Sequence, residues 1–287
     1  MPVREWNEPN PVAPLRPEEF QRICDLAKRT FGLDLRSGKE ELVSARLRRL
    51  VQRGGLQSFE QYYRHVLEDK TGAALAAMID ALTTNHTSFL REAEHFTFLR
   101  EQVVPWLKSR PAVDVWSAAC STGEELWTLA MVLNDAMPSA RLQFVGTDIS
   151  NRALAAAAEA RYSAERCAAL PAAWISRFLV REGQPRASYR VAPELRRQAS
   201  FRRLNLTEPY TWPRPFPVIF CRNVMIYFDR TVQEAVVRRL TEFLEPGGYL
   251  FVGHAESLTR IDHALEYLRP AIYRKPAKRE GGWTRSS

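Results

Sequence analysis

The 287-residue sequence predicts an α/β protein: a parallel, doubly wound sheet preceded by a small all-helical domain. Three observations carry this. From residue 112 onward, short apolar runs alternate with amphipathic stretches, the sign of strand–helix–strand units. Residues 17–85 show only helical periodicity, with short connections. A chain of this length with 45% apolar residues supports about two cores.

The helical domain reads as four helices. The first begins at Pro17, buries Phe20, Ile23, Cys24, Ala27 and Phe31, and stops at Gly32. The second runs from about Lys39 to Gly54-Gly55. The third starts at Ser58, with Gln61 completing a capping box. The fourth carries Leu75, Met78, Ile79 and Leu82. Pro-rich residues 1–16 read as a loose leader, and residues 276–287 as a tail. Residues 86–111 read as a linker and a helix closed by Pro111. Strands are expected at 113–118, 142–148, 217–221 and 249–253. Ser150 caps a helix over 151–160, and Asp229 caps one that ends at Pro246-Gly247-Gly248. The stretch 161–205 interrupts the alternation.

Composition excludes several classes. No apolar run approaches the roughly 18 residues of a membrane span, and the N-terminus lacks a signal-peptide core. Cys24, Cys120, Cys167 and Cys221 are too dispersed for a metal or disulfide framework, so a reduced, cytoplasmic protein without a metal site is expected. The net charge of +8 is concentrated: residues 161–205 hold ten arginines against three glutamates. Such a local field points to an acidic partner, nucleic acid or a protein helix.

In a doubly wound sheet, ligands bind at the carboxyl ends of the strands. Three features fall there. Ser121-Thr122-Gly123 follows the first strand, and its glycine permits close backbone approach. Asp148 ends the second strand, where a carboxylate either accepts ribose hydroxyls or caps the helix beside Ser150; both readings stay open here. Cys221-Arg222-Asn223-Val224 ends a later strand and precedes Tyr227. Neither G-x-G-x-x-G nor a P-loop occurs, which counts against NAD, FAD, ATP and GTP. A ribose-binding acid without phosphate-binding glycines suggests a nucleoside lacking phosphates, commonly S-adenosylmethionine. Glu125 can face its ammonium group, while one or both of Glu124 and Glu125 complement the helix dipole.

Four segments in order resemble the signatures of CheR-type chemotaxis receptor methyltransferases: Leu82-Thr83-Thr84-Asn85-His86-Thr87-Ser88-Phe89-Leu90-Arg91-Glu92, Trp116 to Glu125, Phe220 to Phe228, and Gly253-His254-Ala255-Glu256-Ser257. The resemblance covers roughly residues 17–275. It implies a class I methyltransferase domain over 112–275 with a small antiparallel β-subdomain inserted at about 161–205, after an all-helical N-terminal domain. It implies methyl transfer from S-adenosylmethionine to glutamate side chains on chemoreceptor cytoplasmic helices. By motif position it assigns cofactor contacts to Asn85, Thr87, Arg91, Glu125, Asp148, Asn205, Leu206, Arg222 and Asn223, and puts Arg91 and Tyr227 near the transferred methyl. Leu126 stands where the family usually has proline. Residues 181–186 lack the Gly-x-Gly loop associated with tethering to a receptor tail, so the resemblance does not extend to tethering. No appended repeat or receiver domain is expected.

A glutamate carboxylate, with pKa about 4.3, is ionised at neutral pH, so methylating it needs positioning and water exclusion rather than a general base. His86, His95, His254 and His263 are accordingly read as capping, core or surface residues. A monomer that binds neither nucleic acid nor membrane is expected. The rival readings are a class I methyltransferase acting on nucleic acid, with salt-sensitive oligonucleotide binding, and a cofactor-binding signalling adaptor without transfer activity.

Overall fold

The computed structural model describes residues 12–35, 38–83, 85–183 and 187–277. Residues 1–11, Arg36-Ser37, Thr84, Gln184-Pro185-Arg186 and 278–287 therefore lie outside it, and with them most of the leader and tail and part of the loop that lacks Gly-x-Gly. The helical domain holds α1 (Pro17–Phe31), α2 (Glu40–Arg53), α3 (Phe59–Glu68) and α4 (Ala73–Leu82). Gly32 ends α1 at φ 74°, a left-handed value that glycine adopts without strain. Ser58 caps α3 by accepting from the Gln61 N–H, but the Gln61 side chain accepts from the Gln57 N–H, so the expected capping box is half formed. Residues 12–16 are not loose. Val12 is in the core of this domain, and the Ala13 N–H donates to the Gln57 carbonyl at 2.9 Å.

The next segment folds with the sheet. It comprises α5 (Ala93–Phe98), a π-helical turn (Leu99–Val103) and α6 (Val104–Leu107). Pro105 removes a donor from this helix and crowds the preceding turn, which the π turn accommodates. Phe96, Leu99, Val103 and Leu107 pack into the sheet's core.

The main sheet has seven strands in the order β6-β2-β1-β7-β8-β10-β9. The strands are β1 (Ala112–Ser117), β2 (Arg141–Asp148), β6 (Ala199–Arg203), β7 (Phe216–Cys221), β8 (Leu244–Val252), β9 (Glu266–Arg269) and β10 (Ile272–Arg274). The first five strands of that order are mutually parallel, whereas β10 and β9 pair antiparallel. The purely parallel sheet expected from the alternation is thus extended by a C-terminal hairpin. Its polar first strand and three-residue second strand carry little periodic signal. Pleating sends successive residues to opposite faces: Val115, Phe220 and Phe251 enter one core, and Trp116, Ile219 and Leu250 the other. Helices α7 (Glu124–Ala136), α8 (Asn151–Glu159) and α12 (Arg230–Glu242) connect strands. Asp229 caps α12 through the Val232 N–H. That helix ends before Leu244, which begins β8, so Pro246-Gly247-Gly248 lies within a strand rather than closing the helix.

The antiparallel subdomain sheet is β3-β5-β4, formed by β3 (Arg161–Ser163), β4 (Leu179–Glu182) and β5 (Ser188–Val191). Short helices α9 (Ala164–Cys167), α10 (Ala172–Phe178) and α11 (Pro193–Arg196) accompany it. The expected insert boundary near 205 ran too far: Ala199–Arg203 pairs parallel with β2 and belongs to the main sheet.

Candidate functional site

The turn after β1 and the end of β2 are fastened together. Asp148 accepts the Ser121 N–H on Oδ2 at 2.8 Å and the Ser150 N–H on Oδ1 at 2.9 Å. The cap of α8 is Ser150, which accepts from Ala153 N–H; Asp148 is therefore not the helix cap, and it faces the cleft. Burial pushes its carboxyl above the usual range, against the pull of those N–H groups. Gly123 has φ 95°, but the group close to it is no ligand: a Cβ there would lie 2.9 Å from the Ala157 Cβ and from the Tyr162 hydroxyl. The glycine lets α8 and β3 pack against the turn.

A buried charge network crosses the strand ends. Arg222 donates to Glu125 Oε2 at 3.0 Å, to Glu92 Oε2 at 2.9 Å and to the Arg91 carbonyl at 2.5 Å. Ser117 holds the other Glu125 oxygen at 2.8 Å. Burial pushes the Glu125 carboxyl up, while Arg222 pulls it down. Asn223, left-handed at φ 57°, donates its side-chain amide to Glu92 Oε1 at 3.1 Å. Burial pushes the Glu92 carboxyl up, but Asn223 and Arg222 outweigh it and hold it near a pKa of about 2. Arg222 also lies over the Phe96 and Phe220 rings, with its Nε buried and without a hydrogen-bond partner among the described residues. Glu124 behaves differently from its neighbour: it pairs with Arg166 and accepts from the Thr122 hydroxyl at the start of α7.

Asp148, Glu125, Arg222 and Asn223 line one cleft of about 720 Å³, part of it open to solvent. Its polar lobe brings together Asn85, Thr87, Arg91, Glu125, Asp148, Arg222, Asn223 and Tyr227. An adjoining lobe is largely apolar, lined by Leu33, Ile149, Leu204, Leu206, Val224 and Phe228, and shares Asp148 and Tyr227 with the first. Asn205 borders only this second lobe, and its side chain is committed to the fold. Its amide donates to the Thr30 carbonyl and Glu208, and its oxygen accepts from Thr207. The sequence reading missed the roles of Glu92 and Glu256, although both stand inside motifs it singled out. It also missed Leu33, brought in by the loop after α1; no local pattern marks that residue. Of the histidines, His95 is buried, His254 is exposed, and His263 accepts from the Leu265 N–H.

The donors fit S-adenosylmethionine. An apolar lobe suits a base, a carboxylate at the junction suits a ribose, and a lobe holding both a carboxylate and a guanidinium suits a zwitterionic amino acid. The parallel strand edge and this cleft define a class I S-adenosylmethionine-dependent methyltransferase. Residues 85–273 match the CheR methyltransferase, SAM binding domain, and residues 18–83 the CheR methyltransferase, all-alpha domain. The chain is 39% identical to the chemotaxis protein methyltransferase of Klebsiella aerogenes, over 89% of this chain and 88% of that one. It is 34% identical to the one from Borreliella burgdorferi, over 90% and 94% respectively, and 36% identical to the one from Escherichia coli, over 88% and 89%. The chain belongs to the CheR chemotaxis methyltransferase family. Among the described residues, no helix is long and apolar enough to cross a membrane.

The arginine excess is partly spent inside the fold. Arg166 pairs with Glu124, Arg177 with Asp135 at 2.9 Å, and Arg161 with Glu159 and Glu182. Arg202 stacks on Trp212 at 3.6 Å. Three of these arginines thus neutralise acids of the preceding 112–160 segment, so the field reaching solvent is weaker than the count of charges suggests.

Proposed function

We propose that this chain methylates glutamate side chains on the cytoplasmic helices of a chemoreceptor, forming glutamate methyl esters, and that it does so as a monomer without nucleic acid. The observation that carries the reading is the single cleft in which Asp148, the Arg222–Glu125 pair, Arg91 and Tyr227 converge. When bound, S-adenosylmethionine supplies an electrophilic methyl on a sulfonium. Each Asp148 oxygen already accepts one backbone N–H and keeps lone pairs for the two ribose hydroxyls. Ile149, Leu206 and Val224, with Asn205 beside them, would hold the base. Glu125 and Arg222 offer opposite charges to the amino-acid end, helped by Asn85, Thr87 and Asn223. Arg91 donates through Nη1 to the His86 carbonyl at 2.7 Å, which fixes the guanidinium while its other N–H groups orient the incoming carboxylate. Tyr227 lines the same cleft. The acceptor carboxylate is ionised at neutral pH, so Arg91 and Tyr227 act by alignment and exclusion of water.

The test is incubation with tritiated S-adenosylmethionine and receptor cytoplasmic fragments. Label should enter the fragment and be released by mild base, as an ester requires. Base-stable label, or label in added oligonucleotide instead, overturns the reading. Cofactor binding without transfer to any receptor fragment would favour the adaptor reading.

A further inference from the structure

We propose that Glu92, His95 and His254 form a binding site for a divalent transition ion of the zinc class. One donor atom from each lies within 4.8 Å of the others. Glu92 immediately precedes α5 and His95 follows three residues on, a spacing that puts both on one face. His254 arrives from the loop after β8, and its backbone N–H donates to Glu92 Oε2 at 3.3 Å.

A second, independent observation points to a ligand. The His95 ring is 1% exposed, yet neither of its nitrogens has a hydrogen-bond partner among the described residues. Buried polar atoms are nearly always paired, so a fully enclosed imidazole without a partner calls for one. His95 Nδ1 stands 3.5 Å from Glu92 Oε2, and the His95 and His254 rings lie edge to face with centroids 4.8 Å apart.

The donor set selects the ion. Two imidazoles and one carboxylate suit zinc and its neighbours, whereas calcium and magnesium prefer all-oxygen sites. Tetrahedral zinc with bonds of about 2 Å holds its donors roughly 3.3 Å apart, so the widest donor pair must close by up to about 1.5 Å. His254, whose side chain is 46% exposed, supplies that movement by leaving Glu94 Oε2, which lies 3.8 Å from its Nε2, and leaves the fourth position toward solvent. The Arg222 guanidinium, 2.9 Å from Glu92 Oε2, opposes a cation. Binding is therefore weaker than at a structural zinc site. It also competes with the grip of Glu92 on Arg222 and Asn223, so the ion slows turnover.

The experiment titrates the metal-free full-length protein with zinc by calorimetry, and with Co²⁺ by visible absorption. One equivalent should bind at micromolar concentration, and the Co²⁺ spectrum should lack a thiolate charge-transfer band. His254→Ala should weaken binding at least about tenfold, leave metal-free methylation unchanged and abolish zinc inhibition. Zinc affinity unaltered in His254→Ala, no binding at hundreds of micromolar, or a thiolate band from the buried cysteines overturns the proposal. The binding readout does not depend on which substrate is methylated.

Discussion

The Glu256 carboxylate accepts the backbone N–H of Asn223 at 2.7 Å, and with it fixes the loop that follows β7. The same oxygen accepts from the Gly253 N–H at 2.6 Å, and the other from the Ile226 N–H at 3.2 Å. One buried side chain therefore ties the loop after β8 to the segment carrying Arg222, Asn223 and Tyr227. A Cβ at Gly253 would lie 2.5 Å from the Asn223 amide nitrogen, so the approach also requires glycine there.

Glu256→Gln replaces one accepting oxygen with an N–H donor that faces backbone N–H groups. The expected cost is about 1–3 kcal/mol of stability, with a larger fall in kcat than in cofactor affinity, because the loop that aims Tyr227 loosens. Denaturant unfolding and steady-state kinetics check both. Wild-type kcat in a folded variant would show that the clamp does not position the site.

Asp148→Ala removes charge-assisted hydrogen bonds worth about 1.5–3 kcal/mol each. Cofactor affinity measured by calorimetry should fall tenfold or more while the fold persists. Unchanged affinity would remove Asp148 from the cofactor contacts.

Arg91→Lys keeps the charge but loses the planar fork, and Tyr227→Phe loses the hydroxyl. Each should lower kcat at saturating cofactor by about tenfold or more, with cofactor binding little altered. Normal turnover in both variants would make the two residues structural.

Asp69 offers a pH test away from the site. It accepts from the Ala74 N–H at 2.7 Å and from the Thr71 N–H and hydroxyl, at the start of α4. The Ala74 N–H first, then Thr71, hold its carboxyl down to about 2. A depressed pKa contributes stability above the unfolded-state value near 3.8, and that stability is lost as pH falls toward 2. Asp69→Ala should lower Tm by a few degrees at pH 6, with the difference from wild type shrinking below pH 4. A difference independent of pH would mean that the ionised cap is not its source.

Arg181 is exposed and has no ion pair among the described residues, unlike Arg161, Arg166 and Arg177. If the insert steers an acidic receptor helix, Arg181→Glu should raise the receptor KM several-fold and flatten its salt dependence, leaving cofactor affinity intact. An unchanged KM and salt profile would shift attention to the helical domain.

The sequence by itself determined the elements whose cause is local. Pro17 and Gly32 delimit α1, Ser58, Ser150 and Asp229 cap their helices, and the apolar runs of β1, β2, β7 and β8 define the parallel core. Of the proposed site residues, Asp148, Arg222 and Asn223 were legible because in this fold the strand ends are where a ligand binds, whereas Asn85, Thr87, Arg91, Asn205 and Leu206 came only from the family resemblance. Tertiary structure alone decided the rest. It assigned Ala199–Arg203 to the main sheet, added the β9–β10 hairpin and turned Gly123 toward Ala157 rather than a ligand. It also joined Glu92 to Arg222 across 130 positions and Glu256 to Asn223 across 33. Periodicity reports which face of an element is buried. It carries no record of which distant charge will meet a buried carboxylate, or which edge a short polar strand will join, because those energies exist only once the chain has closed on itself.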